Sequence, residues 1–110
     1  MTKEEYLNKH IYQGLKNLNT GFDAPSIYYF SENDFQVILK RVEEKGIGLT
    51  GIEPWQNGEY FDVKCFEDYD KLSTNSRWYW KAFEEFCKLN IRDLQFAASF
   101  YIPQENLISI

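Results

Sequence analysis

Leu7, Ile11, Leu15 and Leu18 recur at helical spacing near the start of the chain, which predicts a helix from about Lys3 to Leu18. Thr2-Lys3-Glu4-Glu5 has the form of a capping box, with Thr2 as N-cap and Glu5 three residues on. Gly21 and Pro25 close the region that follows. Ser26 to Ser31 is short, aromatic and β-branched, and reads as a strand. Phe35, Ile38, Leu39 and Val42 then give the stripe of a second helix. Ser31 caps its start, with Asp34 at the third helical position, and Gly46 ends it.

Two short apolar-rich runs follow, Ile47 to Glu53 and Tyr60 to Phe66, with Asn57-Gly58 between them. Asn-Gly readily takes positive φ at both positions, as a two-residue hairpin turn requires. Glu67 to Ser76 is polar and reads as a loop. Asn75 or Ser76 caps a third helix from Arg77 to about Leu89, with Tyr79, Phe83, Phe86 and Cys87 along one side and Trp78 and Trp80 widening it. Leu94, Phe96, Ala98, Phe100 and Ile102 alternate with Gln95, Ala97, Ser99 and Tyr101. That period of two predicts a strand, a helix over Asp93 to Tyr101 being the alternative. Pro103 stops it, and the remainder forms a tail or a short extra strand.

The succession is one helix, then β-α-β-β-α-β. It predicts an α+β fold of the ferredoxin-like βαββαβ type, an antiparallel sheet with two helices on one face and an extra N-terminal helix. That helix must bury its stripe on the free face of the sheet or against its edge. A chain of 110 residues is expected to form a single domain, 1–110.

A two-residue turn would set Trp55 opposite Tyr60, Glu53 opposite Asp62 and Ile52 opposite Val63. Trp55 with Tyr60 is a favourable cross-strand pair, whereas Glu53 with Asp62 would cost up to about 1 kcal/mol. Pro54 offers the opposing reading: it donates nothing to a ladder and would break the register before those carboxylates meet. The apolar parity also changes between Leu49 and Ile52, and Gly51 is placed for a bulge that reconciles the two.

Apolar residues make up 44% of the chain and aromatics 18%, more rings than a small core hides fully, so amphipathic rings are expected at its rim. Net charge is −5. Phosphate affinity needs clustered Lys and Arg, so nucleic acid is not an expected partner. The rings of Tyr28, Tyr29, Phe30, Tyr60, Phe61 and Phe66 fall where RNA-binding sheets stack bases. The basic and glycine residues of such sheets are missing, acid stands in their place, and core packing under the first helix accounts for the rings. Met1 to Glu5 is charged with no apolar run behind it, so neither a secretory signal nor a membrane span is expected, and a cytoplasmic location is. Cys65 and Cys87 sit in apolar contexts and read as buried free thiols.

Candidate chemistry is sparse. Glu53 and Asp62 have the residue types of a general acid–base pair, yet no nucleophile with a base and no phosphate loop accompanies them. His10 is the one histidine, and Glu67-Asp68-Tyr69-Asp70 lacks the spaced pattern of a calcium loop. No catalytic residues, cofactor or metal are expected. The pairs Glu43-Glu44 and Glu84-Glu85 read as solvated helix faces. What stands out is an acidic, aromatic stretch: Glu53, Glu59, Asp62, Glu67, Asp68 and Asp70 against one base, Lys64, with rings interleaved. It predicts a non-enzymatic protein-binding module centred on Glu53, Trp55, Tyr60, Asp62, Glu67, Asp68, Tyr69 and Asp70. Aromatic anchors would supply contact area and the carboxylates would steer a basic protein partner. A bacterial immunity or inhibitor protein covering a nuclease toxin would use this physics. The alternative is a ferredoxin-like regulatory or ligand-binding homodimer.

Overall fold

The computed structural model describes residues 1–57, 59–60 and 62–108. The Gly58 half of the turn, the ring of Phe61 and the last two residues of the tail lie outside the described residues. Four features placed by local signals are found. Thr2 and Glu5 form the capping box, and α1 (Lys3–Tyr6) continues as a π-helical turn over Leu7–Ile11. Helix α2 (Glu32–Lys45) starts where the Ser31 hydroxyl accepts the Asp34 N–H and ends at Gly46 with φ 69°. Helix α3 (Ser76–Cys87) is capped by the Asn75 side chain. Leu94–Tyr101 is strand β4, not a helix, and the tail contributes only a short helix, α4 (Gln104–Leu107).

The first helix ends well before Leu18. Gly14 takes φ 81°, a backbone state that favours glycine. Arg41 Nη1, reaching from α2, donates to the carbonyls of Ile11 and Gln13 at 2.9 and 2.8 Å. The carbonyls near the end of the helix thus find a partner on another element, and Leu15 and Leu18 go into the turns beyond it. Tyr6, Leu7 and Ile11 are buried. This helix covers the outer edge of β4 rather than a sheet face: Lys3 Nζ donates to the Phe100 carbonyl at 2.6 Å, and Tyr12 packs on Tyr28, Phe30 and Phe100.

The sheet is antiparallel. Its central strand is β1 (Gly48–Gln56), with β4 on one side and the return arm of the hairpin on the other. The return arm is two fragments, β2 (Glu59–Tyr60) and β3 (Lys64–Cys65). Ser26 to Ser31 does not form a full strand; it contributes one bridge, Phe30 to Phe96, at the outer edge of β4. The fold is therefore α+β, but the described residues do not follow the ferredoxin-like βαββαβ order. That order places the first strand inside the sheet, whereas here β4 holds the place beside β1 and leaves Phe30 outside.

Trp55 pairs with Tyr60 and Gln56 with Glu59, the register of a two-residue turn, and Asn57 has φ 52°. Beyond Tyr60 the register slips by one: Ile52 pairs with Lys64 and Gly51 with Cys65. Pro54 lies between these two stretches of β1. Both polar groups of the Phe96 backbone bond to Phe30, so Phe96 and Pro54 form a non-hydrogen-bonded pair and the proline nitrogen faces the return arm. It has no proton to donate there. On the other side of β1 a bulge falls between Leu49 and Gly51, where the change of apolar parity put it.

Helices α2 and α3 lie on one face of the sheet. Phe35, Ile38, Leu39 and Val42 from α2, and Trp78, Tyr79, Ala82, Phe83 and Phe86 from α3, meet Leu49, Ile52, Leu94, Phe96 and Phe100 from the strands. Phe96 is the hub, with ring centroids 5.1 Å from Phe35, 5.2 Å from Phe83 and 6.4 Å from Phe86.

Candidate functional site

Alternation along β1 and β4 sends a second set of residues to the face away from α2 and α3. Gly48 opposes Tyr101, Gly51 opposes Ser99, Glu53 opposes Ala97, and Trp55 opposes Gln95. The hairpin end of this face is covered. Residues 16–29 form a strap held by two asparagines. Asn19 Nδ2 donates to the carbonyls of Asp23, Ala24 and Ile27, and Asn17 Oδ1 accepts from the backbones of Asn19 and Tyr29. The strap lays Phe22 and Tyr29 against Trp55, with centroids 5.9 and 5.3 Å away. Tyr29 is fully buried and its hydroxyl donates to Asp23 Oδ2. Trp55 is thus half-buried and built into the fold, not presented as a free anchor.

The middle of the face is open and acidic. Ser99 is exposed, and Glu53 and Cys65 are half-buried. The Cys65 thiol is pushed above its usual range, first by burial and then by the negative charges of Asp68, Glu67 and Glu53. Three of the carboxylates singled out in the sequence therefore act on one thiol. Asp68 also acts on the backbone, where its Oδ2 accepts the Cys65 N–H at 2.8 Å and caps the 3-10 turn Phe66–Tyr69. Glu67 is exposed, and Asp70 ends the turn at φ 53°.

The other expected members take different partners, although Asp62 and Tyr69 line one hollow with Asp68, beside Lys64, Lys81 and Glu85. Glu53 lies opposite Ala97 of β4, and the slipped register leaves no paired position for Asp62 across from it. Asp62 is exposed and its Oδ1 accepts the Val63 N–H. Tyr69 turns toward the helix layer, where its hydroxyl donates to Glu85 Oε1 at 2.6 Å and its ring lies 5.9 Å from Trp78. Lys64 joins Glu85 at 3.4 Å and sits 5.0 Å over the Phe86 ring. Glu85 is half-buried in this knot rather than part of a solvated helix face. Tyr60 is placed only by its backbone pairing with Trp55. Cys65 and Cys87 are free, as expected, but half-buried rather than buried.

The stretch 53–70 did not draw attention to Tyr101 and Leu72, which are 47% and 75% exposed. Tyr101 was legible as a member of the outward set of β4. Leu72 lies in a polar loop and gave no periodic signal.

Among the described residues no group of three or more His, Cys, Asp and Glu side chains has the geometry to hold a metal ion. No helix among them is long and apolar enough to cross a membrane.

Among the described residues four tyrosine hydroxyls are pushed well above the ordinary phenol range, each first by burial: Tyr12, Tyr29, Tyr69, and Tyr79, which rises to about 12. Asp23 and Glu85 add to the effect at Tyr29 and Tyr69. A folded pKa above the unfolded value of about 10 gives stability that is complete below pH ~10 and is lost as pH rises through the folded pKa. Titration followed by phenolate absorbance should show these rings withheld until the chain unfolds in alkali. Release of all phenols near pH ~10 with the circular dichroism intact would contradict this placement.

Comparison with protein-family models, with curated proteins and with solved structures finds no match.

Proposed function

We propose that this chain is a non-enzymatic protein-binding module that masks a basic protein, in the manner of an immunity or inhibitor protein covering the positive active site of a nuclease toxin in the cytoplasm. The observation that supports this reading is that Glu53, on the sheet face the helices leave open, and Glu67 and Asp68, on the turn after Cys65, all bear on the Cys65 thiol. Asp68 is held by the Cys65 N–H and Glu53 stands on a strand, which lowers the ordering cost a basic partner meets there. Their field raises the association rate, an effect that fades as salt screens it. The net charge of −5 acts in the same sense at longer range.

The partner sought is a basic, toxin-like protein encoded beside this one. With the two proteins purified, association should slow by about tenfold between about 50 mM and 300 mM salt. It should slow again in Glu53→Lys and Glu67→Lys, neither of which touches the helix-side core. Association indifferent to both salt and charge reversal would remove this reading. The ferredoxin-like homodimer draws less support, because the sheet order departs from that topology. A concentration-dependent mass of twice 13.1 kDa would favour it instead.

A further inference from the structure

A groove of about 750 Å³ lies at the end of the open face away from Trp55, lined by Phe66, Leu72, Tyr101, Pro103 and Glu105 among others. We propose that it receives the apolar side chains of a basic amphipathic helix of the protein partner, an inference that rests on the protein-binding reading above. Tyr101 and Leu72 are large, and both remain in water. Neither is there through slackness of the chain. Leu49 N–H donates to the Ser73 carbonyl at 3.0 Å, Trp78 Nε1 donates to the same oxygen at 3.2 Å, and Asn75 N–H donates to the Leu72 carbonyl at 3.0 Å. The loop that carries Leu72 is therefore fixed to β1 and to α3. Tyr101 stands across from Gly48, which has no side chain to cover its ring. Apolar surface held rigidly in water is the starting point of a recognition groove.

The charge around the groove selects the partner. Glu105 lines it, and the turn that supplies Phe66 carries Glu67, Asp68 and Asp70. From residue 66 to residue 74 the chain carries these three acids and one base, Lys71. The complement is an apolar ridge flanked by Lys or Arg. Strand addition is disfavoured at either edge of the sheet. The return arm leaves the ladder at Asp62 and Val63, and the outer side of β4 is occupied by Phe30 and Lys3. A helix that inserts side chains needs no continuous ladder, and anchors at i and i+3 or i+4 would suit a groove beside a charged turn.

The test uses two labelled synthetic peptides of about 15 residues built from Leu and Lys. One has its leucines on a single helical face; the other has the same composition with the leucines dispersed. Fluorescence anisotropy with the full chain should show the amphipathic peptide binding about tenfold more tightly. Leu72→Ser combined with Tyr101→Ser should abolish that preference, with circular dichroism verifying the fold. Glu53→Lys should weaken both peptides alike. Equal binding of the two peptides, a preference that survives the double serine variant, or no binding of either peptide would each overturn the groove assignment. Equal binding that still falls with Glu53→Lys would do so while leaving the acidic face standing, so failure of the groove and failure of the broader reading are distinguishable.

Discussion

Phe96→Ala should destabilise the fold by about 3–5 kcal/mol, the range for removing a large ring from a filled core. The position concentrates several separate contacts. Its ring stacks on Phe35 at an interplanar angle of 18° and meets Phe83 and Phe86 from α3. It faces Pro54 across the sheet, and its backbone bonds to Phe30 on the outer edge. Three layers of sequence therefore converge on one side chain that is fully buried. Single domains are stable by only about 5–15 kcal/mol, so the variant should lose about a fifth or more of its margin. In thermal unfolding the midpoint should fall by about 15 °C. A chemical denaturation midpoint that moves by the equivalent of less than about 1 kcal/mol would mean that the ring is not at the hub.

Gly48→Ala and Gly51→Ala should diverge, although the two glycines sit three residues apart on the same strand. A methyl carbon at Gly48 would lie 2.8 Å from the backbone carbon and oxygen of Ser73. That oxygen accepts the Leu49 N–H, so the loop has no room to retreat without breaking a hydrogen bond. Overpacking of about 1–3 kcal/mol, with about 1 kcal/mol more for the lost bond, gives an expected cost of about 2–4 kcal/mol. At Gly51 the nearest atoms, the Lys64 carbonyl oxygen, Cys65 Sγ and Ser99 Oγ, lie at 3.6–3.7 Å, which is ordinary contact. Gly51→Ala should be neutral, or stabilising by up to about 1 kcal/mol through the unfolded chain. Paired thermal melts decide the matter. Equal losses at the two positions would place the Ser73 loop elsewhere.

The same two glycines mark how far the sequence can be read. Gly51 was legible, because the change in apolar parity between Leu49 and Ile52 demands a bulge, and the bulge is there. The use of Gly48 was not, since its neighbour Ser73 is distant in sequence and nothing near Gly48 announces that a loop will cross it. The candidate site divides in the same way. An acidic stretch from Glu53 to Asp70 could be counted in the sequence, and part of it, Glu53, Glu67 and Asp68, bears on the Cys65 thiol. Tyr69 and Trp55 were grouped with those acids by proximity along the chain, yet Tyr69 joins Glu85 of α3 and Trp55 sits under Phe22 and Tyr29. Each ring went to whichever layer offered it neighbours, and those neighbours came from other elements.

Features that are settled within a few residues could be read from the chain alone. These are the caps at Thr2, Ser31, Asn75 and Gly46, the two longer helices, the turn that pairs Trp55 with Tyr60, and the outward and inward sets of β4. A cap or a period depends on a hydrogen bond or a side-chain spacing that spans three or four positions, and those positions can be seen together. It took the assembled fold to establish that β4 rather than Ser26 to Ser31 lies beside β1, that the register of the return arm slips between Tyr60 and Lys64, and that Arg41 binds the Ile11 carbonyl at the end of the first helix. Such choices are competitions between distant segments for the same ladder position or the same carbonyl. They are settled by which pairing satisfies the most backbone groups and buries the most apolar surface at once.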